Sequence, residues 1–241
     1  MKCLMLEACG LTDRGCVRTN NEDYFIADVN SGIFILADGM GGANAGEYAS
    51  RLSAEWLYGY LLEAKPEALD ALERGFQEVN RVVRQAAKSR SELDGMGTTL
   101  VAARYLGGQR MQIGSVGDSR AYVHSRGELR LVTQDQTWAA EVGGRLGLSQ
   151  EALRNHPMRH VLTMAVGTSD EVRVQSRIVP LERGDQVLLC CDGLHGVVEE
   201  GILRETLNSP RSLCEKCHDL IEAAKRLGGP DNITAILIKE S

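Results

Sequence analysis

IFILADGMGG, residues 33–42, reads as an apolar strand that ends abruptly in an aspartate followed by glycines. Ile33, Phe34, Ile35 and Leu36 form the uninterrupted apolar run expected of a strand covered on both faces. Gly39, Gly41 and Gly42 allow the backbone to turn sharply or to come close to another group. Together they predict an Asp38 carboxylate held at the rim of a buried sheet. Asp-Gly is also a common turn, so this junction gains weight only if it recurs elsewhere in the chain.

It does recur. Asp118 in VGDSR, Asp192 in CCDGLHG and Asp231 in GGPDNIT each lie where a strand pattern ends or begins, with glycine within two residues. Four unrelated turn aspartates is the competing reading for any one of them; the set of four favours a cluster. Like charges gathered in a partly buried cleft repel strongly unless cations neutralise them. Carboxylate and carbonyl oxygens suit a hard divalent ion such as Mg²⁺ or Mn²⁺, and no clustered His or Cys ligands compete. Arg18 precedes the acidic pair Glu22 and Asp23 in a polar loop, and its planar guanidinium can grip a phosphate through two parallel hydrogen bonds. Metal cluster and guanidinium together predict a phosphoryl-transfer or hydrolysis site.

Outward from this centre, residues 4–8 predict a first strand, 12–23 a polar loop and 24–27 a second strand. From about Ala45 the period becomes helical, with Ala49, Leu52, Ser53, Trp56, Leu57, Tyr60 and Leu61 on one face. A second helix is expected after Pro66, with Leu69, Leu72, Phe76, Val79, Val83 and Ala86 on its apolar side. Strand patterns return at 98–104, 110–116, 121–124 and 129–132, joined by short Gly-containing turns, which is a meander rather than a βαβ array. Residues 136–160 are polar, contain Gly143, Gly144 and Gly147, and read as a mobile excursion beside the site. Strands at 172–179 and 186–191, helices at 199–207 and 212–227, and a last strand at 233–239 complete the order. The expectation is an α+β fold: a four-layer α-β-β-α sandwich of two mainly antiparallel sheets flanked by helix pairs.

With 241 residues, 43% of them hydrophobic, the chain can bury one large core, and a single domain is expected. The formal charge of −6 argues against broad charge-driven nucleic-acid binding. No stretch approaches a membrane span and the first residues lack a signal-peptide core, so a cytoplasmic monomer with no membrane partner is expected. The seven cysteines show no framework spacing, and reduced, buried thiols are expected. Cys214 and Cys217 form a C-x-x-C pair, but Leu213, Cys217, Leu220, Ile221 and Ala224 share a helical face, which favours helix packing over zinc.

The runs TDRGCVRTNNED (12–23), ADGMGG (37–42), GMGTT (95–99), VGDSRAY (116–122), CDGL (191–194) and GGPDNIT (228–234) resemble the ordered motifs of the metal-dependent protein phosphatases, the type 2C serine/threonine phosphatases, in their compact bacterial form. The resemblance covers essentially the whole chain. It implies that Asp38 bridges two Mn²⁺ or Mg²⁺ ions, that the Gly39 carbonyl binds the second, and that Asp192 and Asp231 bind the first. It implies further that Glu22 and Asp23 hold the second ion through water, that Asp118 serves a third site, that Arg18 binds phosphate and that Asn232 orients Asp231. A hydroxide bridging the ions would attack phosphorus in line, without a covalent enzyme intermediate.

Two departures stand out. Met40 occupies a place where some members carry a histidine that could protonate the leaving group. His195 and Gly196 follow CDGL where a further aspartate is usual, which puts the third ion in question. His160 and His195 are other acid candidates, although solvated loop histidines are the plainer expectation. The implied activity is hydrolysis of phosphoserine and phosphothreonine in proteins, opposing a cognate kinase. A non-catalytic phosphoprotein-binding relative and a small-phosphoester hydrolase are the alternatives.

Overall fold

The alternation of side chains along the central strand sets the layers. In the computed structural model, which describes residues 6–41, 45–65, 67–143, 145–154 and 156–240, β3 (Ile33–Met40) is buried on both faces. Ile33, Ile35 and Ala37 pack against helices, while Phe34 and Leu36 point the other way, into the space between two sheets. Successive strand residues face opposite sides, so one apolar run supplies two cores. Leu4, Gly42, Pro66 and Gly144, named in the sequence reading, lie outside the described residues.

One sheet contains β2 (Asp23–Asp28), β3, β5 (Leu100–Tyr105), β6 (Arg110–Val116) and β9 (Gln175–Pro180), in the order β2-β3-β5-β6-β9, with two-residue β4 (Gly97–Thr98) attached to β3. The other runs β1-β11-β10-β7-β8, from β1 (Leu6–Asp13), β7 (Arg120–Ser125), β8 (Glu128–Leu131), β10 (Gln186–Cys190) and β11 (Ile233–Glu240). The pairings within both sheets are antiparallel. Helices α1 (Ala45–Glu63) and α2 (Ala71–Ser89) cover the first sheet through Leu57, Leu72, Phe76, Val79 and Val83. The 14-residue α6 (Leu213–Arg226) and shorter α5 (Glu200–Asn208) cover the second through Leu203, Leu207, Cys217, Leu220 and Ala224. Between the sheets lie Phe34, Leu36, Val101, Ile113, Val187, Leu189, Ile236 and Ile238. The result is the expected α-β-β-α sandwich, in which each sheet is buried on both faces.

Several boundaries differ from expectation, each for a local reason. β1 continues to Asp13, because Thr12 and Asp13 pair with Thr234 and Ile233, so polar residues assigned to a loop belong to a strand. α2 begins at Ala71, not directly after Pro66; Leu69 is exposed, and turns at 67–70 intervene. β9 starts at Gln175 because Val172 leaves the sheet to pack under the helices. Within 136–160 the chain forms a π-helical turn (Ala139–Gly143) and a short α3 (Gln150–Arg154), and the Trp138 and His156 rings stack 4.0 Å apart. The cysteine expectation is corrected too. Cys9 of β1 and Cys214 of α6 form a disulfide across 205 residues of sequence, a pairing that local spacing does not reveal. Cys217 does lie on the packing face, as a buried free thiol.

The α1–α2 connection is held from below by Arg104. Its guanidinium is buried in β5 and donates to the carbonyls of Ala64, Lys65 and Ala68. Burial lowers the guanidinium pKa from its ordinary value, against the charge of Glu67, so the carbonyl contacts carry the compensation. Replacing Arg104 with Met should cost about 2–3 kcal/mol by urea denaturation, because buried acceptors lose their donors. Arg104→Lys should recover only part of that, lacking the planar fork.

Candidate active site

Strand register brings the acidic residues to one edge. Cys190 of β10 pairs with Ala235 of β11 and with Arg120 of β7. In antiparallel strands this places the end of β10 and the starts of β11 and β7 side by side, so Asp192, Asp231 and Asp118 leave the sheet at the same edge. Asp118 lies in the turn between β6 and β7, which crosses from one sheet to the other. The opposite sheet contributes Asp38, two residues before the end of β3 and directly opposite Asp23 of β2. Arg18, Glu22, Asp38, Gly39, Met40, Asp118, His160, Asp192, Asp231 and Asn232 line a cleft of about 460 Å³. Asp23 is not on that lining: its side chain is buried behind Asp38.

Close backbone approach explains the glycines beside these aspartates. A Cβ on Gly39 would stand 2.1 Å from the Gly46 carbonyl oxygen and 2.7 Å from that of Glu22. The Gly39 N–H instead donates to the Glu22 carbonyl at 3.1 Å. A Cβ on Gly193 would meet the Asn232 carbonyl oxygen at 1.9 Å, so only glycine lets α4 (Asp192–His195) press against the loop that carries Asp231. Asn232 ties its own loop to the loop between β1 and β2 at three points. Its Oδ1 accepts from the Glu22 N–H at 2.8 Å, and its Nδ2 donates to the carbonyls of Arg14 and Asn20 at 3.0 and 2.9 Å. Thr99 supports Asp38: its Oγ1 accepts from the Asp38 N–H and bonds the Ser119 hydroxyl, next to Asp118.

The carboxylates strain against one another. Burial, reinforced by the charges of Asp23, Asp192, Asp118 and Asp231, pushes Asp38 well above the usual carboxylate range. Burial also pushes Asp118 up to about 8, with Asp192 and Asp135 adding to it. Asp23 is pushed up to about 7 by burial, against hydrogen bonds from Thr234 and Cys191, with Asp192 and Asp231 raising it further. Asp192 is raised by burial and Asp231, despite an opposing contact with Asp38. Oδ1 of Asp192 and Oδ1 of Asp23 are buried with no hydrogen-bond partner. Unpartnered carboxylate oxygens in a crowded acidic site are the donor set a hard divalent cation requires, and the residues fit one.

Arg18 is half exposed, and its Nη2 donates to Asp231 Oδ2 at 2.7 Å. Burial opposes its charge, but the Asp231 contact, with Glu22 and Asp38, keeps its pKa above the ordinary value. His160 is exposed at the cleft rim, as expected of a loop histidine. The expectation for His195 is overturned. It sits in the short helix α4, where its Nε2 lies 3.0 Å from the Asp118 carbonyl. Burial lowers its pKa to about 4, and Arg120 reinforces the shift. Cys191, Thr99 and Thr234 also belong to the site, although they received no role from the sequence. A period-two signal was available: Cys191 continues the inward row of Val187 and Leu189, and Thr234 that of Ile238 and Ile236.

A carboxyl made harder to ionise by folding holds more protons in the folded chain than in the unfolded one, so stability falls as pH rises through that interval. For the raised carboxyls, including Asp23 and Asp118, the interval runs from about pH 4 to about pH 8. Asp13, Asp28 and Glu141 have lowered pKa values and act only at more acid pH, where their stabilisation is lost as pH falls. The chelated protein should therefore lose stability between these limits in denaturant titrations, and added Mg²⁺ should restore more at the alkaline end.

The chain resembles known proteins in both sequence and fold. A family model described as Protein phosphatase 2C matches residues 17–237. The serine/threonine phosphatase stp of Listeria welshimeri is 39% identical over 238 residues, covering 95% of this chain and 94% of that protein. The serine/threonine protein phosphatase PstP of Mycobacterium tuberculosis is 36% identical over 236 residues, 97% of this chain but 45% of that longer protein. The crystal structure of the Mycobacterium tuberculosis phosphatase PstP/Ppp superposes with a TM-score of 0.89 at 35% identity, covering 97% of this chain and 98% of that one. A structure of the PstP catalytic domain in complex with 2 manganese ions superposes with a TM-score of 0.85 at 33% identity, over 97% of each chain. With its motifs on a matching sandwich and its acidic residues gathered at one sheet edge, the chain belongs to the protein phosphatase 2C family.

Proposed function

We propose that this chain is a metal-dependent serine/threonine protein phosphatase, a single catalytic domain that removes phosphate from phosphoserine and phosphothreonine in proteins. The observation that carries the reading is the convergence of Asp38, Asp118, Asp192 and Asp231 with Arg18 on one cleft. Asp38, Asp192, Asp231, Glu22 and the Gly39 carbonyl are the groups on this cleft that would hold Mn²⁺ or Mg²⁺ ions. When bound, such ions supply Lewis-acid charge for the phosphoryl oxygens and an acidified water as nucleophile. Asn232 and Thr99 keep Glu22 and Asp38 from shifting.

Arg18 is the residue that meets substrate. It can exchange its contact with Asp231 for paired hydrogen bonds to two phosphoryl oxygens, which orients phosphorus for in-line attack and stabilises charge spread over those oxygens. The adjoining cavity of about 740 Å³ shares Asp118, His160 and Asp192 with the cleft and gives room for the residues that flank a phosphorylated side chain. Asp118 faces both spaces. With His195 and Gly196 beside it instead of a further carboxylate, a third ion is not part of the proposal. A cytoplasmic protein acting as a monomer against a cognate kinase completes the reading; among the described residues no helix is long and apolar enough to cross a membrane. A purely binding role is disfavoured because Asp38, Asp192, Asp231 and Arg18 all face one cleft.

A phosphothreonine peptide should be hydrolysed with Mn²⁺ or Mg²⁺ and left intact after chelation. Asp38→Asn and Asp192→Asn should retain the fold by circular dichroism and lose nearly all turnover. Arg18→Ala should lower kcat/KM by about 10- to 100-fold, chiefly through KM, as expected for losing a charge-assisted hydrogen bond. Unchanged turnover in both aspartate variants would refute the reading.

A further inference from the structure

Three features meet where α6 packs on β1. The Cys9–Cys214 disulfide joins the two elements, with Cys214 exposed and Cys9 half-buried. Cys217, one turn further along α6, is a buried free thiol whose Sγ donates to the Cys9 carbonyl at 3.3 Å. A surface cavity of about 370 Å³ opens beside the bond, lined by Leu11, Arg211, Cys214, Glu215, His218 and Asp219. Among the described residues the remaining cysteines, Cys16, Cys190 and Cys191, are free thiols. A solvent-facing disulfide in such company is of the labile kind, suited to exchange rather than to stapling a fold. The fold does not lean on it. β1 pairs with β11 from Leu6 to Asp13, Lys225 of α6 bonds Asp13 Oδ2 at 3.0 Å, and Leu220, Ile221 and Ala224 seat the helix in the core.

We propose that Cys9, Cys214 and Cys217 form a thiol–disulfide exchange site for a low-molecular-weight thiol of the glutathione class, which enters at Cys214 and is expelled by Cys217. Both signs of charge line the cavity, with Arg211 paired to Asp219 at 2.8 Å, which suits a thiol bearing carboxylate and ammonium groups. In the first step the incoming thiolate bonds to Cys214 Sγ, the Cys9–Cys214 bond breaks, and Cys9 departs as a thiolate that takes up a proton. In the second, Cys217 gives its proton to solvent and bonds to Cys214 Sγ, and the small thiol leaves with the electron pair. Cys214 and Cys217 end joined, Cys9 ends as a thiol and the small thiol is regenerated, so no oxidant or reductant is consumed. Residues three apart in a helix have Cα atoms about 5 Å apart, inside the roughly 4.4–6.8 Å that a disulfide spans. Burial pushes the Cys217 thiol up to about 12, against a contact with the Leu237 backbone. Little thiolate forms there at neutral pH, so the second step is slow and the mixed disulfide on Cys214 accumulates. The C-x-x-C spacing thus has a use besides helix packing. This goes beyond the proposed phosphatase activity and does not depend on it.

Reduced glutathione, added to the folded, disulfide-bonded chain and quenched with acid, provides the test. A reduced thiol forms a mixed disulfide only where it opens an existing disulfide, so free thiols stay unlabelled. Mass spectrometry should find one glutathione per chain, and peptide mapping should place it on Cys214. After rapid removal of glutathione, the wild type should convert to a chain with Cys214 joined to Cys217 and Cys9 free, faster as pH rises, as expected of a thiolate nucleophile. In Cys217→Ser the adduct should last at least about three times longer, because only return to Cys9 remains. A chain that leaves Cys9 and Cys214 unpaired in air, an adduct that forms only once urea unfolds the protein, an adduct on Cys9, or a wild-type product restricted to Cys9–Cys214 would each overturn the proposal. These readouts come from the wild type, so a misfolded Cys217→Ser leaves the test intact. Phosphatase assays play no part in them, so the two readings fail separately.

Discussion

Crowding of carboxylates at the end of a buried sheet pair is the constraint from which most of this structure's behaviour follows. Asp23, Asp38, Asp118 and Asp192 all have raised pKa values, with burial the largest cause and mutual repulsion behind it. A protein interior does not tolerate such a group unless something positive is supplied. The rest of the fold serves to keep the group from relaxing apart: three apolar layers hold both sheets in register, and the register fixes which side chains meet at the edge.

The supporting contacts are short-range and unforgiving. Gly39 and Gly193 are pressed against backbone carbonyls of other segments, and Asn232 bonds the loop between β1 and β2 at three points. Loops joined in this way behave as extensions of the strands that carry them. The guanidinium of Arg18 stands apart from that rigidity. Half exposed and bonded to Asp231, it is the cationic side chain on the cleft lining that is placed to change partners.

Much of this was legible in the order of residues. The two-faced apolar run at 33–36, the helical periods of α1 and α2, and the recurrence of aspartate beside glycine led to the layered fold and to the cleft aspartates. What escaped were features made by strand pairing. The continuation of β1 through Thr12 and Asp13 depends on a partner strand more than two hundred residues away, as does the disulfide between Cys9 and Cys214. His195 read as a loop residue because nothing local announces that the Asp118 carbonyl will face its ring.

The separation between Glu22 and Asp23 shows most clearly where each kind of information ends. Composition and spacing determined that acidic residues, glycines and one arginine would form a cation-dependent site on a sandwich, because periodicity and turn chemistry are local properties of the chain. Only the tertiary structure decided that Glu22 lines the cleft while its neighbour Asp23 turns inward to Thr234 and Cys191. Adjacent residues at a strand's start point to opposite faces, and which face meets solvent depends on the second sheet packed against the first.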